Sequence, residues 1–423
     1  MTSDRIVLIY QVLLFLQTLA ASFIWGVNTL FLLDAGLGLT GAFVANAAFT
    51  AGMVIFEVPT GVVADTAGRR TSFVLGAVTL LVATLAYLGL WQVGAGIVWW
   101  ILVSALIGLG FTFFTGATEA WLVDALDATG YTEGVEKVFG RGQVVAGAAM
   151  LIGTVSGGFL AQVSLGLPYL VRSGTLVLVI VAALLWMRDL GFEPRRNGSV
   201  KAEVKEVLRA SVTHGLRNRP VRLLMLAAPF GSGVFIWIFY AFQPYLLELL
   251  GDPDAVYVAG IAAAVFAMAQ IVGGASVGSM SRRFSTRTAV IAFNVSVASV
   301  GLIGVGLATY LQVPWGFWAA IILLALVAML GAIATPMQQA YLNALIPSGQ
   351  RATVLSFASL MGSAGGVVAQ PVLGRAADVW SLGVGYLVSG AIYVIQLPFV
   401  LAARRMRLPA DQTAGSERAA LEI

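Results

Sequence analysis

The chain has 423 residues, of which 59% are hydrophobic and 10% are charged, whereas ordinary soluble domains have about 45–50% and 25%. This composition excludes a water-soluble globular protein, an intrinsically disordered chain and a coiled coil. The sequence has no cysteine and a single histidine, His214, which excludes disulfides, cysteine or histidine metal clusters and His-dependent catalytic triads.

Twelve apolar segments follow one another along the chain. A helix of about 20 residues crosses the bilayer core, and backbone amides cannot remain unpaired in lipid. The sequence therefore predicts an all-α membrane protein with twelve transmembrane helices. The first segment is too long for a cleaved signal peptide, so we count it as the first span. The approximate bounds are 6–33, 40–64, 72–91, 97–122, 140–163, 167–187, 222–247, 256–279, 289–309, 314–337, 352–376 and 384–403.

Lysine and arginine residues indicate the orientation. If the N-terminus is cytoplasmic, 22 of the 24 basic residues fall on the cytoplasmic side, all but Arg172 and Arg375. The positive-inside rule then predicts a plasma (inner) membrane protein with both termini in the cytoplasm. We expect Arg172 to extend its side chain toward the outer surface, unless it faces a cavity and favours an anionic substrate. We expect Arg375 to pair with Asp378.

The longest polar interval, from Arg188 to Arg222, separates six spans from six. Within it, Ser199 predicts the start of an amphipathic helix on the inner membrane face, and a mobile charged linker is the alternative. The predicted organisation is an N-terminal bundle at 1–187, a cytoplasmic linker at 188–221, a C-terminal bundle at 222–403 and a cytoplasmic tail at 404–423.

The two halves also resemble each other in sequence. Residues 61–70 after the second span and residues 278–287 after the eighth both begin with glycine and end in a basic turn, 217 residues apart. A second pair, 141–144 and 351–354, has the pattern Arg-x-x-Val before spans five and eleven. Duplicated six-helix halves suit alternating access, in which one bundle rocks against the other about a central site.

The first of these loops carries a family resemblance. Gly61-Val-Val-Ala-Asp65-Thr-Ala-Gly68-Arg69-Arg70 resembles the Gly-x-x-x-Asp-x-x-Gly-Arg-Arg motif of the major facilitator superfamily, with a threonine where a basic residue usually follows the aspartate. The resemblance implies the major facilitator fold, a membrane transporter and not an enzyme. It also implies that Gly61, Asp65, Gly68, Arg69 and Arg70 belong to a cytoplasmic gate. The alternative is that the two arginines only fix the topology.

Span five adds a partial resemblance to one branch of that superfamily. Gly153-Thr-Val-Ser-Gly157-Gly158 is similar to the Gly-Pro-x-x-Gly-Gly element of the drug:proton antiporters, with Thr154 in place of proline. The arginine typical of span four in those antiporters is absent, and Thr112 occupies roughly that place. Their standard arrangement for proton coupling is therefore incomplete in this chain.

Three carboxylates in or near the spans are the candidates for proton coupling: Glu119, Glu57 and Asp124. A charge at full membrane depth costs about 2–3 kcal/mol, so such a group is protonated, paired or exposed to water. We predict that Glu119 binds a proton or attracts a cationic substrate, with Glu57 as the next candidate. Pairing of Glu119 with Arg141 or Arg351 is the competing interpretation, and for Asp124 the preferred interpretation is a solvated or gate-pairing charge.

The resemblance implies that spans one, four, seven and ten line a central cavity. Their aromatic and amide side chains suit an amphipathic or lipophilic organic molecule, although a sugar site has a similar composition. Any single aromatic residue fits equally well at the lipid interface. The candidate cavity residues are Gln17, Asn28, Thr115, Trp237, Tyr240, Gln243, Gln338, Gln339, Tyr341 and Asn343.

These features favour a secondary transporter that exports small amphipathic or drug-like molecules in exchange for protons. The alternatives are a proton-coupled importer of a sugar or other metabolite and a non-transporting membrane scaffold or sensor. The sequence has no phosphate-binding Gly-Lys-Ser or Gly-Lys-Thr loop, which argues against ATP drive within the chain. We expect a monomer in the lipid bilayer that binds a small-molecule substrate and protons, without a cofactor, a metal or a nucleic acid partner.

Overall fold

The computed structural model describes residues 1–131, 134–194, 205, 209, 211–347 and 351–413. Among these residues the regular structure is helical, and Thr286 and Gln412 form an isolated β-bridge. Twelve helical stretches of the described chain are long and apolar enough to cross a membrane. The prediction of an all-α protein with twelve spans is therefore confirmed.

The described chain contains fourteen α-helices. Their bounds are α1 Ser3–Trp25, α2 Asn28–Asp34, α3 Leu39–Ala67, α4 Arg69–Val93, α5 Ile97–Ala128, α6 Val135–Val163, α7 Leu167–Trp186, α8 Arg219–Leu250, α9 Tyr257–Arg283, α10 Arg287–Leu307, α11 Trp315–Leu345, α12 Arg351–Val379, α13 Leu382–Tyr393 and α14 Gln396–Arg404.

The first predicted segment, 6–33, is not one continuous helix. The backbone leaves the helical conformation at Val27, where φ is −136° and ψ is −1°, and α2 starts at Asn28. The Asn28 side chain then donates a hydrogen bond to Asn46 Oδ1 in α3 at 2.8 Å. Hydropathy reports the length of an apolar run but not a break in its backbone, so the sequence pattern missed this turn.

The last predicted segment, 384–403, is also two helices, because α13 ends at Tyr393 and α14 begins at Gln396. Pro398 lies in the first turn of α14. Its ring lacks an amide hydrogen and crowds the carbonyl four residues earlier, which weakens the helix at this point. Proline alone does not explain the break, because Pro59, Pro229, Pro244, Pro336 and Pro371 lie inside continuous helices.

The described chain divides into two compact units. The first contains Met1–Val204 and Asp254–Ala263, and the second contains Lys205–Pro253 and Ala264–Ile423. The first residues of α9 therefore belong to the first unit. Ser199 and most of the predicted amphipathic helix lie outside the described residues.

Small residues let the helices of the first unit approach closely. A Cβ added at Gly52 in α3 would lie 2.5 Å from the carbonyl oxygen of Ala105 in α5, and one at Gly108 would meet the Phe49 carbonyl of α3. Any larger side chain at either position would push the two helices apart. This tight α3–α5 contact holds in place the helix that carries Glu119 and Asp124.

Candidate functional site

The first unit contains a cavity of about 460 Å³ between α1 and α5. The residues from α1 recur at three- and four-residue intervals, which places them on one helix face, and the residues from α5 do the same. Glu119 is the one carboxylate among them. The lining consists of Tyr10, Leu14, Gln17, Thr18, Ala21, Trp25, Phe111, Phe114, Thr115, Thr118 and Glu119.

This cavity, the α1/α5 cavity, combines an apolar wall with a few polar groups. Trp25, Phe111 and Phe114 supply aromatic surface, and Glu119 is exposed in the cavity. Gln17 also contributes a buried side-chain oxygen that has no hydrogen-bond partner among the described residues. Such a wall can hold an amphipathic molecule by ring contacts and a hydrogen bond, while the carboxylate takes a proton or a positive charge.

Glu57 lies behind this wall, in α3. Its side chain is half-buried, and Thr115 Oγ1 lies 3.4 Å from its Oε1, a long hydrogen bond, while the same hydroxyl has a closer acceptor in the Thr112 carbonyl at 3.0 Å. Thr115 itself lines the α1/α5 cavity. One hydroxyl group therefore connects the Glu57 carboxylate to the cavity without placing it on the wall.

A second cavity, of about 230 Å³, lies within the second unit between α8, α9, α10, α11, α13 and α14. Its polar groups are mostly amides and hydroxyls, and no charged side chain occurs among the described residues that line it. We refer to it as the α8/α11 cavity. Its polar lining residues are Ser232, Gln270, Thr335, Gln338, Tyr393 and Gln396.

The loop between α3 and α4 is held by an ion-pair group around Arg69. Its Nη1 lies 2.5 Å from Asp65 Oδ1, and its Nε lies 3.4 Å from Asp124 Oδ2 in α5. The ring of Phe192 lies 5.7 Å from the Arg69 guanidinium carbon. Asp124, considered from sequence as a proton site or a gate-pairing charge, therefore shares its charge with the motif arginine.

The neighbouring Arg70 forms hydrogen bonds with residues in and just after α7, the last helix of the first six-helix half. Its backbone amide donates to Asp189 Oδ1 at 2.8 Å, and its Nη2 donates to the carbonyl of Leu184 at 2.7 Å. Gly68 adopts φ +105°, and a Cβ there would lie only 2.5 Å from Asp189 Oδ2. The positive φ favours glycine at this position, whereas the exposed Asp189 side chain could move to accommodate a Cβ. At Gly61 a Cβ would contact nothing within 4 Å.

Asp189 is a residue that sequence reasoning missed. It lies three residues beyond the end of α7, in an interval assigned to the linker, and its carboxylate caps the start of α4. The available signal was a carboxylate directly after the sixth span, within a chain that has few acidic residues.

The family model of the Major Facilitator Superfamily matches residues 12–369 of this chain. The chain belongs to the major facilitator superfamily. It is therefore a multi-pass membrane transporter and not an enzyme.

Among known members, the tetracycline resistance protein, class C, of Escherichia coli is 26% identical over 348 residues, which cover 80% of this chain and 81% of that protein. The nucleoside transporter NupG superposes with a TM-score of 0.77 at 12% identity, covering 95% of this chain and 99% of NupG. A D-xylose-proton symporter superposes with a TM-score of 0.66 at 17% identity and covers 98% of both chains. These structural matches establish the major facilitator fold.

Within this major facilitator chain, four of the candidate residues lie on or beside a cavity. Gln17, Thr115 and Glu119 line the α1/α5 cavity, and Gln338 lines the α8/α11 cavity. Each lies on the span that the superfamily resemblance assigned to a cavity wall. Glu57 lies one hydrogen bond behind the first of these walls.

Four other candidates are buried in the packing of the helices instead. Trp237, Gln243 and Tyr341 have no exposed surface and Asn28 is 8% exposed. Trp237 packs edge-on against Tyr386, with 5.0 Å between the ring centres. None of the four lines the α1/α5 or the α8/α11 cavity. Their expected place on a central cavity stays a prediction.

The last three candidates have accessible surface but do not line either cavity. Gln339 is exposed, whereas Tyr240 and Asn343 are half-buried. Gln339 follows Gln338 directly, and the helical rotation of about 100° per residue turns it away from the α8/α11 cavity.

The two outlying arginines differ from each other. The predicted pair Arg375–Asp378 is confirmed, with 3.6 Å between Nη1 and Oδ2.

Arg172 is 1% exposed, so the expectation that it extends outward is wrong. Its Nε donates to Thr84 Oγ1 at 3.0 Å, and its guanidinium carbon lies 5.8 Å from the ring centre of Phe111, a residue of the cavity wall. Its Nη1 and Nη2 are buried and have no hydrogen-bond partner among the described residues, so only part of the guanidinium group is satisfied inside the unit.

Proposed function

We propose that this transporter exports small amphipathic molecules in exchange for protons, by alternating access, across a plasma membrane with both of its termini in the cytoplasm. The observation that carries the proposal is the position of Glu119. It is the single carboxylate on the described wall of the α1/α5 cavity, and it shares that wall with Trp25, Phe111 and Phe114.

A single carboxylate in such a cavity provides a simple basis for exchange. Glu119 can hold a proton or face a positively charged substrate, and each occupant weakens the binding of the other. Substrate binding then releases the proton, which is the coupling that an antiporter needs. Thr115 and Glu57 lie next to this site and offer a second position for the proton.

One further finding supports export. The tetracycline resistance protein matches 80% of the chain in sequence, and resistance to a drug fits an exporter. The partly exposed Asp65–Arg69 and Arg69–Asp124 ion pairs contribute about 0.2–1 kcal/mol each, which is weak enough for them to break and re-form within a transport cycle of either direction. The excess of basic residues in the intervals assigned to the cytoplasm supports the proposed orientation.

Import of a neutral polar metabolite is the second candidate. The observation in its favour is the α8/α11 cavity, where Gln270, Gln338 and Gln396 offer amide groups suited to hydroxyls or ring nitrogens. The described lining of this cavity has no charge to favour a cation.

The test uses proteoliposomes with the full chain and a pH-sensitive dye inside. We expect a hydrophobic cation such as ethidium to cause proton movement, and the E119Q variant to abolish it while ethidium still binds. E136Q is the matched control, because Glu136 is an exposed residue at the start of α6, outside both cavities. E57Q should slow the exchange without abolishing it.

Three other outcomes would count against the proposal. Full proton coupling in E119Q would remove Glu119 from the mechanism. Proton movement in response to sugars or nucleosides, with none in response to hydrophobic cations, would favour the importer. A failure of every class of compound to move protons would favour the scaffold.

A further inference from the structure

Three arginines follow the last span almost directly and share one cavity. Arg404, Arg405 and Arg407 line a space of about 500 Å³ within the second unit, at the end of α14. All three side chains are exposed. We refer to this space as the arginine cavity, and its remaining lining residues are Thr286, Leu401, Leu408, Asp411 and Gln412.

The positive charge of this cavity is not balanced by its own lining. Asp411 is the one acidic residue there, and it is 1% exposed. Its two carboxylate oxygens accept hydrogen bonds from the backbone amide and the hydroxyl of Thr288, at 2.8 Å and 2.5 Å. Among the described residues, none of the three arginines forms an ion pair with a carboxylate.

The walls of the arginine cavity are fixed by the docking of the tail onto the loop before α10. Thr413 donates through its amide to Ser285 and through its hydroxyl to Phe284, at 3.3 Å and 2.5 Å. Arg287 donates to the carbonyl of Ala410, and Thr286 bridges to Gln412. These hydrogen bonds attach residues 410–413 to residues 284–287, so the shape of the arginine cavity is fixed by the second unit.

The backbone at Arg407 shows local strain. Its φ is +51°, and it is the one non-glycine residue with positive φ in the described chain. This left-handed conformation is unfavourable for a branched or bulky residue and persists only when surrounding contacts impose it. Here it bends the tail so that three guanidinium groups border the same space.

We propose that the arginine cavity binds the phosphate headgroup of an anionic phospholipid, from the leaflet on the side of the membrane where the chain ends. Guanidinium groups bind phosphate with paired, charge-assisted hydrogen bonds. Arginines immediately beyond a transmembrane helix lie at headgroup depth, where basic pockets attract anionic lipids. Leu401, which is 36% exposed on the same wall, offers apolar contact to the lipid chains.

A soluble phosphate compound shares the charge of the headgroup but lacks acyl chains. The position of the cavity at the end of a membrane span favours the lipid, because α14 delivers Leu401 and the arginines together at the interface. The experiment therefore compares the two sources directly.

The experiment measures phosphatidylglycerol bound to the detergent-purified full chain by native mass spectrometry, with phosphatidylcholine as the neutral reference. We expect R404Q/R405Q to lower the affinity for phosphatidylglycerol about tenfold, since two charge-assisted contacts are lost. The matched control is R282Q/R283Q, which removes an equally exposed adjacent pair from the same unit outside the arginine cavity. This control should bind the lipid like the unmodified protein.

A second variant controls for the case in which R404Q/R405Q loses lipid binding only because it misfolds. Arg407→Gly removes one guanidinium group but suits φ +51° better than arginine does, so we expect it to fold normally and to bind phosphatidylglycerol more weakly. Equal losses in R404Q/R405Q and R282Q/R283Q would overturn the proposal, because they would reflect net charge alone. Displacement of the lipid by an equal concentration of glycerol 1-phosphate would overturn it as well, in favour of a soluble ligand.

Discussion

In both units an aspartate side chain caps the start of an equivalent helix. In the first unit Asp189 accepts a hydrogen bond from the amide of Arg70, the second residue of α4. In the second unit Asp411 accepts one from the amide of Thr288, the second residue of α10. Both distances are 2.8 Å. Each aspartate follows the last helix of its half and satisfies an amide that the helix itself cannot pair.

The surroundings of these two caps differ in charge. Around the first cap, Arg69 is neutralised by Asp65 and Asp124. Around the second cap, the arginines of the arginine cavity have no carboxylate partner among the described residues. The charge of Arg69 is therefore balanced inside the first unit, whereas the guanidinium of Arg70, like the three of the arginine cavity, has no carboxylate partner among the described residues.

The caps also differ in burial and in the number of their bonds. Asp411 is 1% exposed and serves both the amide and the hydroxyl of Thr288, whose own side chain is fully buried. Asp189 is exposed, so water can replace it. The Asp411 cap should therefore contribute more to the free energy of unfolding than the Asp189 cap, and substitutions at both positions test this.

The largest effect is expected for Asp411→Ala. Two buried donors of Thr288 would lose their acceptor, which should reduce the free energy of unfolding by about 2–3 kcal/mol. The measurement is thermal unfolding of the detergent-purified protein, together with the rate of trypsin cleavage after Arg407, which should rise as the tail detaches.

Asp411→Asn is the matched control for this substitution. It keeps one oxygen acceptor and the side-chain shape while losing the charge, so it should destabilise by about half as much. An alanine variant with an unchanged melting temperature would show that the tail contributes nothing to the second unit.

An intermediate effect is expected for Arg69→Gln. This change leaves Asp65 and Asp124 near each other without their shared cation, and it should cost about 1 kcal/mol because the pairs are partly exposed. A double-mutant cycle with Asp65→Asn isolates the pair, and its coupling energy should decrease as salt concentration rises. A coupling energy that salt leaves unchanged would contradict an electrostatic origin.

The smallest effect is expected for Asp189→Ala. Loss of an exposed cap should cost about 0.5–1 kcal/mol, since solvent then hydrates the freed amide of Arg70. Thermal unfolding under the conditions used for the Asp411 variants gives the direct comparison. Equal losses at the two positions would mean that burial does not distinguish the caps.

The sequence predicted the spans well because the requirement for apolar length is strong. Ten of the twelve segments are single helices, and the exceptions begin at residues 6 and 384. Pro398 was not a clear signal for the second break, because five other prolines lie inside continuous helices. At the first break Gly26 directly follows α1, and glycine is common at helix ends.

The direction in which each polar side chain points was harder to predict. In a helix that is apolar on all sides, periodicity does not tell whether a polar residue faces a cavity or its own bundle. Gln338 reaches a cavity, whereas Gln243 is fully buried. Arg172 likewise found its partners inside the unit, on helices far away in sequence.

The separation along the chain of each cap from its helix has a consequence for biosynthesis. The Arg70–Asp189 bond joins residues 119 apart, and the Thr288–Asp411 bond joins residues 123 apart. The ribosome must therefore synthesise all six spans of a half before this hydrogen bond of that half can form. The first half can complete this step while the second is still being translated, whereas the amide of Thr288 in α10 gains its Asp411 partner only after 123 further residues have been added.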